Sequence, residues 1–354
     1  MNPANANTGL PASLKVVAIG GGTGLSTLLR GLKRHVPGPD GIADASGPLV
    51  SHLTGVVTVT DDGGSSGRLR KEFGIIPPGD IRNCLTALSE DEALLSRLFR
   101  YRFTVGEGLE GHSFGNLFLT ALADVTGDFT EAVKLSSAIL KTRGDIFPST
   151  TAYVQLDGHM DDGSRVRGET NISASNRRIL KLRLVPANAK PIPQTLHAIA
   201  EADLITIGPG SLFTSLVPNI IVRGIPQAIA ESRAVKVFVC NLMTQANESL
   251  GLTAADHIRA LFDHAGRKFF DYAMLSTAEI PADIREKYAA ERAEPIINDL
   301  DRVRALGVEP VLGEYLDGSG MARHDSRRIA MDLLLLATRV RQQAQGTMLA
   351  DVIQ

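Results

Sequence analysis

The stretch KVVAIGGGTGLSTLLRGLKRH, residues 15–35, constrains the fold more than any other part of the chain. A β-branched apolar run over 15–20 ends in closely spaced glycines, and apolar residues then recur at helical spacing over 25–35. A buried strand that turns at once into an amphipathic helix is the opening unit of a doubly wound α/β sheet. The pattern recurs. LTGVVTVT (53–60), ADLITIG (202–208) and KVFVCNL (236–242) read as further buried strands, and DYAML (271–275) and VEPVLGEYL (308–316) as weaker ones. Residues 36–51 read as a surface loop, 80–141 as mainly helical, and 281–295 as an exposed helix. Asp325 is placed to cap a last helix starting at Ser326.

Between Ala152 and Leu184 the texture changes to alternating residues with Asp-Gly turns, which predicts a β-hairpin embellishment. The expected architecture is a Rossmann-like α/β fold with a mainly parallel sheet, helices on both faces and a hairpin at about 152–184. Residues 1–14 read as a tail and 15–345 as one domain. At 44% hydrophobic and 21% charged residues, the chain can bury a core of that size.

The glycines raise a chemical question. In GGGTG, Gly21, Gly22, Thr23 and Gly24 stand between strand and helix, where bare amides and the helix dipole receive an anion. It is neither the dinucleotide fingerprint, whose third glycine would fall at Leu25, nor a P-loop, which needs Gly-Lys-Ser/Thr. GPGSLFTS (208–215) offers a second such loop, with Gly208, Gly210 and Ser211. Either loop alone is also a plain tight turn. Two at the carboxyl ends of parallel strands suit a pyrophosphate-bearing ligand.

TVTDDGGSSGRLR adds Asp61 and Asp62, and PPGDIRNCL adds Asp80 and Asn83. Carboxylates beside a phosphate nest suit a ribose hydroxyl or Mg²⁺, so Asp61 and Asp62 are the candidate metal ligands and Mg²⁺ the candidate cofactor. Asp61, Asp62 and Asp80 are the candidate catalytic acids. Asp80 also fits a plain helix N-cap, and Arg68 and Arg70 fit either phosphate contacts or solvated surface. In GHSFGNL, Asn116 or His112 can contact a ligand, while a nucleophilic pair of the neighbours His112 and Ser113 is poorly suited to face one another. His324, beside Arg323, reads as a surface cap near a helix start or as an anion contact.

Other classes are disfavoured. The formal charge is −2 and cations are interspersed with acids, which predicts no nucleic-acid partner. Two cysteines far apart give no disulfide framework, and the apolar run near the carboxyl end is too short to span a bilayer. A cytoplasmic protein with no membrane insertion is expected, and a homodimer is the default assembly.

Taken in order, GGGTG, TVTDDGGSSGRLR, PPGDIRNCL, GHSFGNL, ADLITIGPGSLFTSLVPNI and VFVCNLMTQANES resemble the YvcK-type gluconeogenesis factors of the CofD-like superfamily over most of residues 15–340. The resemblance implies a UDP-sugar ligand such as UDP-N-acetylglucosamine, and a role in cell shape, envelope growth and growth on gluconeogenic carbon, with cell-envelope regulatory partners. It implies phosphate contacts from Gly21, Gly22, Thr23, Gly210 and Ser211, with Asp61 and Asn116 nearby. It also carries Tyr272 and Arg323 over as sugar or uridine contacts. Ala246-Asn247 stands where the family has Pro-Gly. The related CofD enzymes are Mg²⁺-dependent transferases that join a phospholactyl-type group from a guanosine diphosphate donor to a deazaflavin, so the alternative is a transferase acting on a nucleoside diphosphate donor.

Overall fold

The computed structural model describes residues 13–38, 40–90, 94–175 and 177–352. The expected tail therefore falls outside the described residues up to residue 12, and Leu14 already belongs to the first strand. The central sheet has seven strands, β1 (Leu14–Gly20), β2 (Val50–Val57), β3 (Asp145–Pro148), β7 (Leu204–Ile207), β8 (Val235–Val239), β9 (Tyr272–Ser276) and β10 (Glu309–Gly313). Their spatial order is β10-β9-β8-β7-β1-β2-β3, and every neighbouring pair is parallel. The chain thus works outward from β1 to β3, returns, and works outward the other way from β7. The reversal leaves a crevice between the carboxyl ends of β1 and β7, where open α/β sheets bind ligands.

Helix α1 (Gly22–Lys33) packs with α3 (Gly79–Leu88) and with α14 (Ser326–Val352), and α8 (Pro193–Glu201) packs with α10 (Ile225–Glu231). The core is continuous through these layers and includes Val16, Ile19, Leu28, Leu29, Ile205, Val237 and Leu333. Asp325 caps α14 as expected, its Oδ1 accepting the N–H groups of Arg327 and Arg328 at 2.9 and 3.1 Å.

One strand goes unread and one expectation needs correction. β3 lies just past the helical region, in a stretch with no strand signal, and pairs with β2 through Thr54–Val57. The hairpin is larger than its turn signals implied. β4 (Gln155–Met160) and β5 (Arg165–Arg167) form it, but the chain then makes helix α7 (Glu169–Ala174) and returns as β6 (Ile179–Val185), antiparallel to β4 on its other side. The result is a separate three-stranded antiparallel sheet.

Among the described residues no single helix is long and apolar enough to cross a membrane. A pair that passes by composition, Leu212–Ile220 with Ile225–Glu231, is bent by 74°. Leu212, Leu216, Val217, Ile220, Ile225 and Ile229 from that pair are buried in the core.

Candidate functional site

The two glycine loops meet. Gly21, Gly22, Thr23 and Gly24 from the end of β1, and Pro209, Gly210 and Ser211 from the end of β7, line one cleft of about 330 Å³. α1 begins there with Gly21 as its N-cap and no side chain capping it. At Gly24 the loops touch so closely that a Cβ would lie 2.3 Å from the Pro209 carbonyl oxygen.

The second loop is braced by residues the motifs did not single out. Asn241, just past β8, holds the Gly210 peptide on both sides. Its Oδ1 accepts the Gly210 N–H at 3.0 Å and its Nδ2 donates to the Gly210 carbonyl at 2.8 Å. Gln245 Nε2 donates to Ser211 Oγ at 3.0 Å. After Ser211 the chain makes a π-helical turn (Leu212–Leu216), a form frequent at functional sites. The Phe213 amide there is already satisfied internally, because Glu248 accepts its N–H at 3.1 Å, and the same carboxylate accepts the Thr214 hydroxyl at 2.8 Å. Asn247, in the Ala-Asn pair, adopts φ 60°, a left-handed conformation that asparagine tolerates better than most residues, so the Pro-Gly replacement still turns.

The far wall of the cleft comes from Leu242, Met243, Tyr288, Ala322, Arg323 and His324. Tyr288 lies on α12 (Ala282–Ala289) and joins Leu316 and Ala322 against a small apolar cluster of Leu242, Met243, Ile280 and Ile284, separate from the main core. Tyr272, carried over from the family likeness, is elsewhere. It opens β9 at its amino end, opposite the end where the loops gather, and packs against the core. The tyrosine of the cleft is Tyr288. The signal was present in EKYAAER, whose charge made it read as exposed helix.

His324 is not a surface cap. It is buried, its Nε2 lies 3.0 Å from the Cys240 carbonyl, and burial pushes its pKa down to about 4. The carbonyl only accepts, so Nε2 carries the proton and Nδ1 is left as an acceptor. The unfolded chain takes up a proton below about pH 6.5 and the folded chain does not, so this stability is complete above that pH and lost as pH falls toward 4. We expect the ring to cost roughly 2 kcal/mol between pH 7 and 5. Urea midpoints at both pH values check this, since His324→Gln should show a correspondingly shallower loss than the natural protein.

The acids form a group behind the first loop. Asp80 is not an N-cap: Pro78 holds that position, and the Asp80 carboxylate accepts the Gly22 backbone N–H. A Cβ on Gly21 would stand 2.8 Å from Asp80 Oδ2. Burial and then the charge of Asp61 push the Asp80 carboxyl up to about 6. Glu169, at the start of α7, joins them. Burial first, then Asp61 and Asp80, raise its pKa to about 9, so it is protonated at neutral pH, and the Thr60 hydroxyl lies 3.2 Å from its Oε2. Nothing local in the sequence marks Glu169, which arrives from the antiparallel insertion.

Asp62, by contrast, is occupied. Its carboxylate accepts the backbone N–H groups of Glu169 and Thr170 at 2.9 and 2.8 Å and the Thr170 hydroxyl at 2.6 Å, anchoring α7. The acidic pair beside the loop is therefore Asp61 with Asp80, not Asp61 with Asp62. Among the described residues no group of three or more His, Cys, Asp or Glu is arranged to hold a metal. Two carboxylates whose charges repel still fit Mg²⁺, which takes hard oxygens and completes its shell with water or phosphate.

The remaining candidates stand off the cleft. Asn83 accepts from Arg82 Nη2 at 2.5 Å. Asn116 is buried, donating from Nδ2 to Ser65 Oγ at 3.1 Å, and that hydroxyl lies 2.9 Å from His112 Nδ1. His112 thus pairs with Ser65, not with its neighbour Ser113, which caps α5 (Phe114–Thr126) through the Asn116 N–H. Arg70 is buried too, donating to the carbonyls of Thr60 and Val154 and lying over the Tyr153 ring at 4.3 Å, so it serves packing and not phosphate. Arg68 donates to the Glu110 carbonyl at 2.7 Å.

A parallel sheet with reversed strand order, a crevice at the reversal and a small antiparallel insertion define a Rossmann-like protein of the CofD type. Residues 16–316 match the family described as 2-phospho-L-lactate transferase CofD. The chain belongs to this family, among its gluconeogenesis factors. It is 45% identical over 324 residues to the gluconeogenesis factor of Bacillus subtilis, covering 90% of this chain and 98% of that one. The gluconeogenesis factor of Halalkalibacterium halodurans is 45% identical over 320 residues, covering 90% and 95% respectively. A crystal structure of a UPF0052 family member from Bacillus halodurans superposes with a TM-score of 0.85 at 44% identity, covering 91% of this chain and 99% of that one.

Proposed function

We propose that the cleft binds a nucleoside diphosphate sugar of the UDP-N-acetylglucosamine type, and that the protein is a cytoplasmic regulator of cell shape, envelope growth and growth on gluconeogenic carbon. The observation that carries the ligand is the shared cleft: Thr23 and Ser211 face one cavity from loops on either side of the switch point. The diphosphate takes the loop amides and the start of α1, with Arg323 as counter-charge. The sugar or base takes the apolar wall of Leu242, Met243 and Tyr288. The name borne by the relatives supports the regulatory half. Calorimetry with UDP-N-acetylglucosamine tests the ligand. Saturable heat is expected, lost in Gly210→Asp, which sets a carboxylate among the phosphates, and weakened about tenfold or more in Tyr288→Ala. Tyr272→Ala should bind normally. An absence of heat with every uridine diphosphate sugar would sink the reading.

The Asp61, Asp80 and Glu169 group favours a second reading, a Mg²⁺-dependent transferase acting on a nucleoside diphosphate donor. Here Asp61 and Asp80 would hold the cation, which supplies Lewis acidity at the phosphorus-bound oxygens. Burial of Glu169 beside Thr60 raises its carboxyl pKa and makes it the candidate proton donor. Product analysis with labelled donors separates the two readings. Asp61→Asn protein that binds donor yet forms no product supports transfer, while no product from the natural protein with any donor and acceptor leaves regulation.

A further inference from the structure

The antiparallel insertion turns a strongly basic face outward. Its register sets Arg167, Asp157 and Arg183 in one cross-strand row and Arg165, His159 and Lys181 in the next. The inner face, with Leu156, Met160, Leu182 and Leu184, is buried in the core. On the outer face every cation is exposed. The one carboxylate in these rows, Asp157, is only 5% exposed and is bonded by Arg165. Two rows of three residues therefore show solvent four cationic side chains, of which Arg165 is paired with Asp157.

The charge continues around the edge of β6. A groove of about 380 Å³ there carries Lys181, Arg183, Arg223 and Arg267, all exposed, and among the described residues lining it there is no Asp or Glu. Asp263 lines the neighbouring cavity, which shares His264 with the groove. Such clustering of one sign in a concave surface, in a chain of net charge −2, raises the local potential for an anionic partner.

The edge itself narrows the mode of binding. The outward Leu182 N–H donates to His264 Nε2 at 3.0 Å, and that ring is held by Nδ1 at 2.7 Å from the Ala260 carbonyl. Burial lowers the His264 pKa, so the neutral ring keeps Nε2 as acceptor. With its central amide taken, β6 cannot simply accept another strand, and recognition falls to side chains.

We infer that this face and groove dock an acidic, extended segment of a partner protein. Lys181 and Arg183 point the same way from alternate positions, roughly 7 Å apart, which is the spacing of alternate carboxylates on an extended peptide. The cations are mostly arginines, whose planar fork matches a carboxylate in two-point contact. Among the described residues of these rows the one ring is the His159 imidazole, and with no Phe, Tyr or Trp beside it there is no run of rings for successive bases, which disfavours single-stranded nucleic acid.

Fluorescence anisotropy with a labelled peptide of alternating glutamate and serine tests the assignment, with the full chain at low and at physiological ionic strength. Saturable binding is expected, weaker at the higher salt, and lowered about tenfold or more by the pair Arg183→Glu and Arg267→Glu. Both residues are exposed and outside the cleft, so UDP-sugar affinity and thermal midpoint should not move. Three outcomes overturn the inference: no saturable binding at low salt, binding unchanged by the reversals, or tighter binding of oligothymidylate or phosphatidylglycerol vesicles that displaces the peptide.

Discussion

Replacing Gly24 by alanine is expected to lower the affinity for UDP-N-acetylglucosamine at least about a hundredfold, which one methyl group rarely does. The reason is contact between the two loops. The new Cβ would lie 2.3 Å from the Pro209 carbonyl oxygen, 2.7 Å from its carbon and 3.0 Å from the Gly210 Cα. None of these is a flexible side-chain end. The second loop cannot simply withdraw, because Asn241 grips the Gly210 peptide through both its N–H and its C=O. Either α1 moves at its first turn or the Asn241 bonds break, and both displace amides that must stand about 2.9 Å from phosphate oxygens. Overpacking of this kind costs about 1–3 kcal/mol of stability, too little to unfold a typical domain. Calorimetry on a variant that retains its circular dichroism spectrum measures the effect. Affinity within about threefold of the natural protein would mean the loops do not act together.

The features that carry this argument were readable because they are backbone features. A glycine run between a strand and a helix records a turn that side chains would obstruct, and both GGGTG and GPGSL do so at the switch point. The parallel strands were equally legible, since burial on both faces leaves near-continuous apolar runs such as VVAI in β1 and VFV in β8. What failed was anything fixed by long-range pairing. β3 has four residues, fewer than a periodic signal needs, and exists because β2 offers it an edge. β6 completes the insertion only after an intervening helix, so the local Asp-Gly turns revealed two strands of three. At the site, adjacency in sequence misled for one pair. Asp62 follows Asp61 yet is turned away to hold α7, whereas His112 reaches Ser65 past Ser113, in keeping with the poor fit of those two neighbours. Glu169 and Tyr288 reach the acidic group and the cleft from segments with no glycine signature at all.

Magnesium is expected to tighten UDP-sugar binding about tenfold or more, and the double variant Asp61→Asn, Asp80→Asn should abolish that dependence. Asp80 touches the first loop directly, accepting the Gly22 N–H and lying where a Cβ on Gly21 would fall. A diphosphate arriving at this loop therefore meets a carboxylate that already feels the charge of Asp61. Without a cation the like charges oppose binding, and with one they become its ligands together with the phosphate oxygens. Neutralising both acids removes the repulsion and the metal ligands in one step. In chelator the double variant should bind the sugar nucleotide more tightly than the natural protein, and with magnesium it should bind more weakly. Titrations in chelator and in magnesium read both signs from the same pair of proteins. If the natural protein binds equally well in both media and the variant matches it, the acids play no part in holding the diphosphate, and the transferase reading loses the feature that favours it.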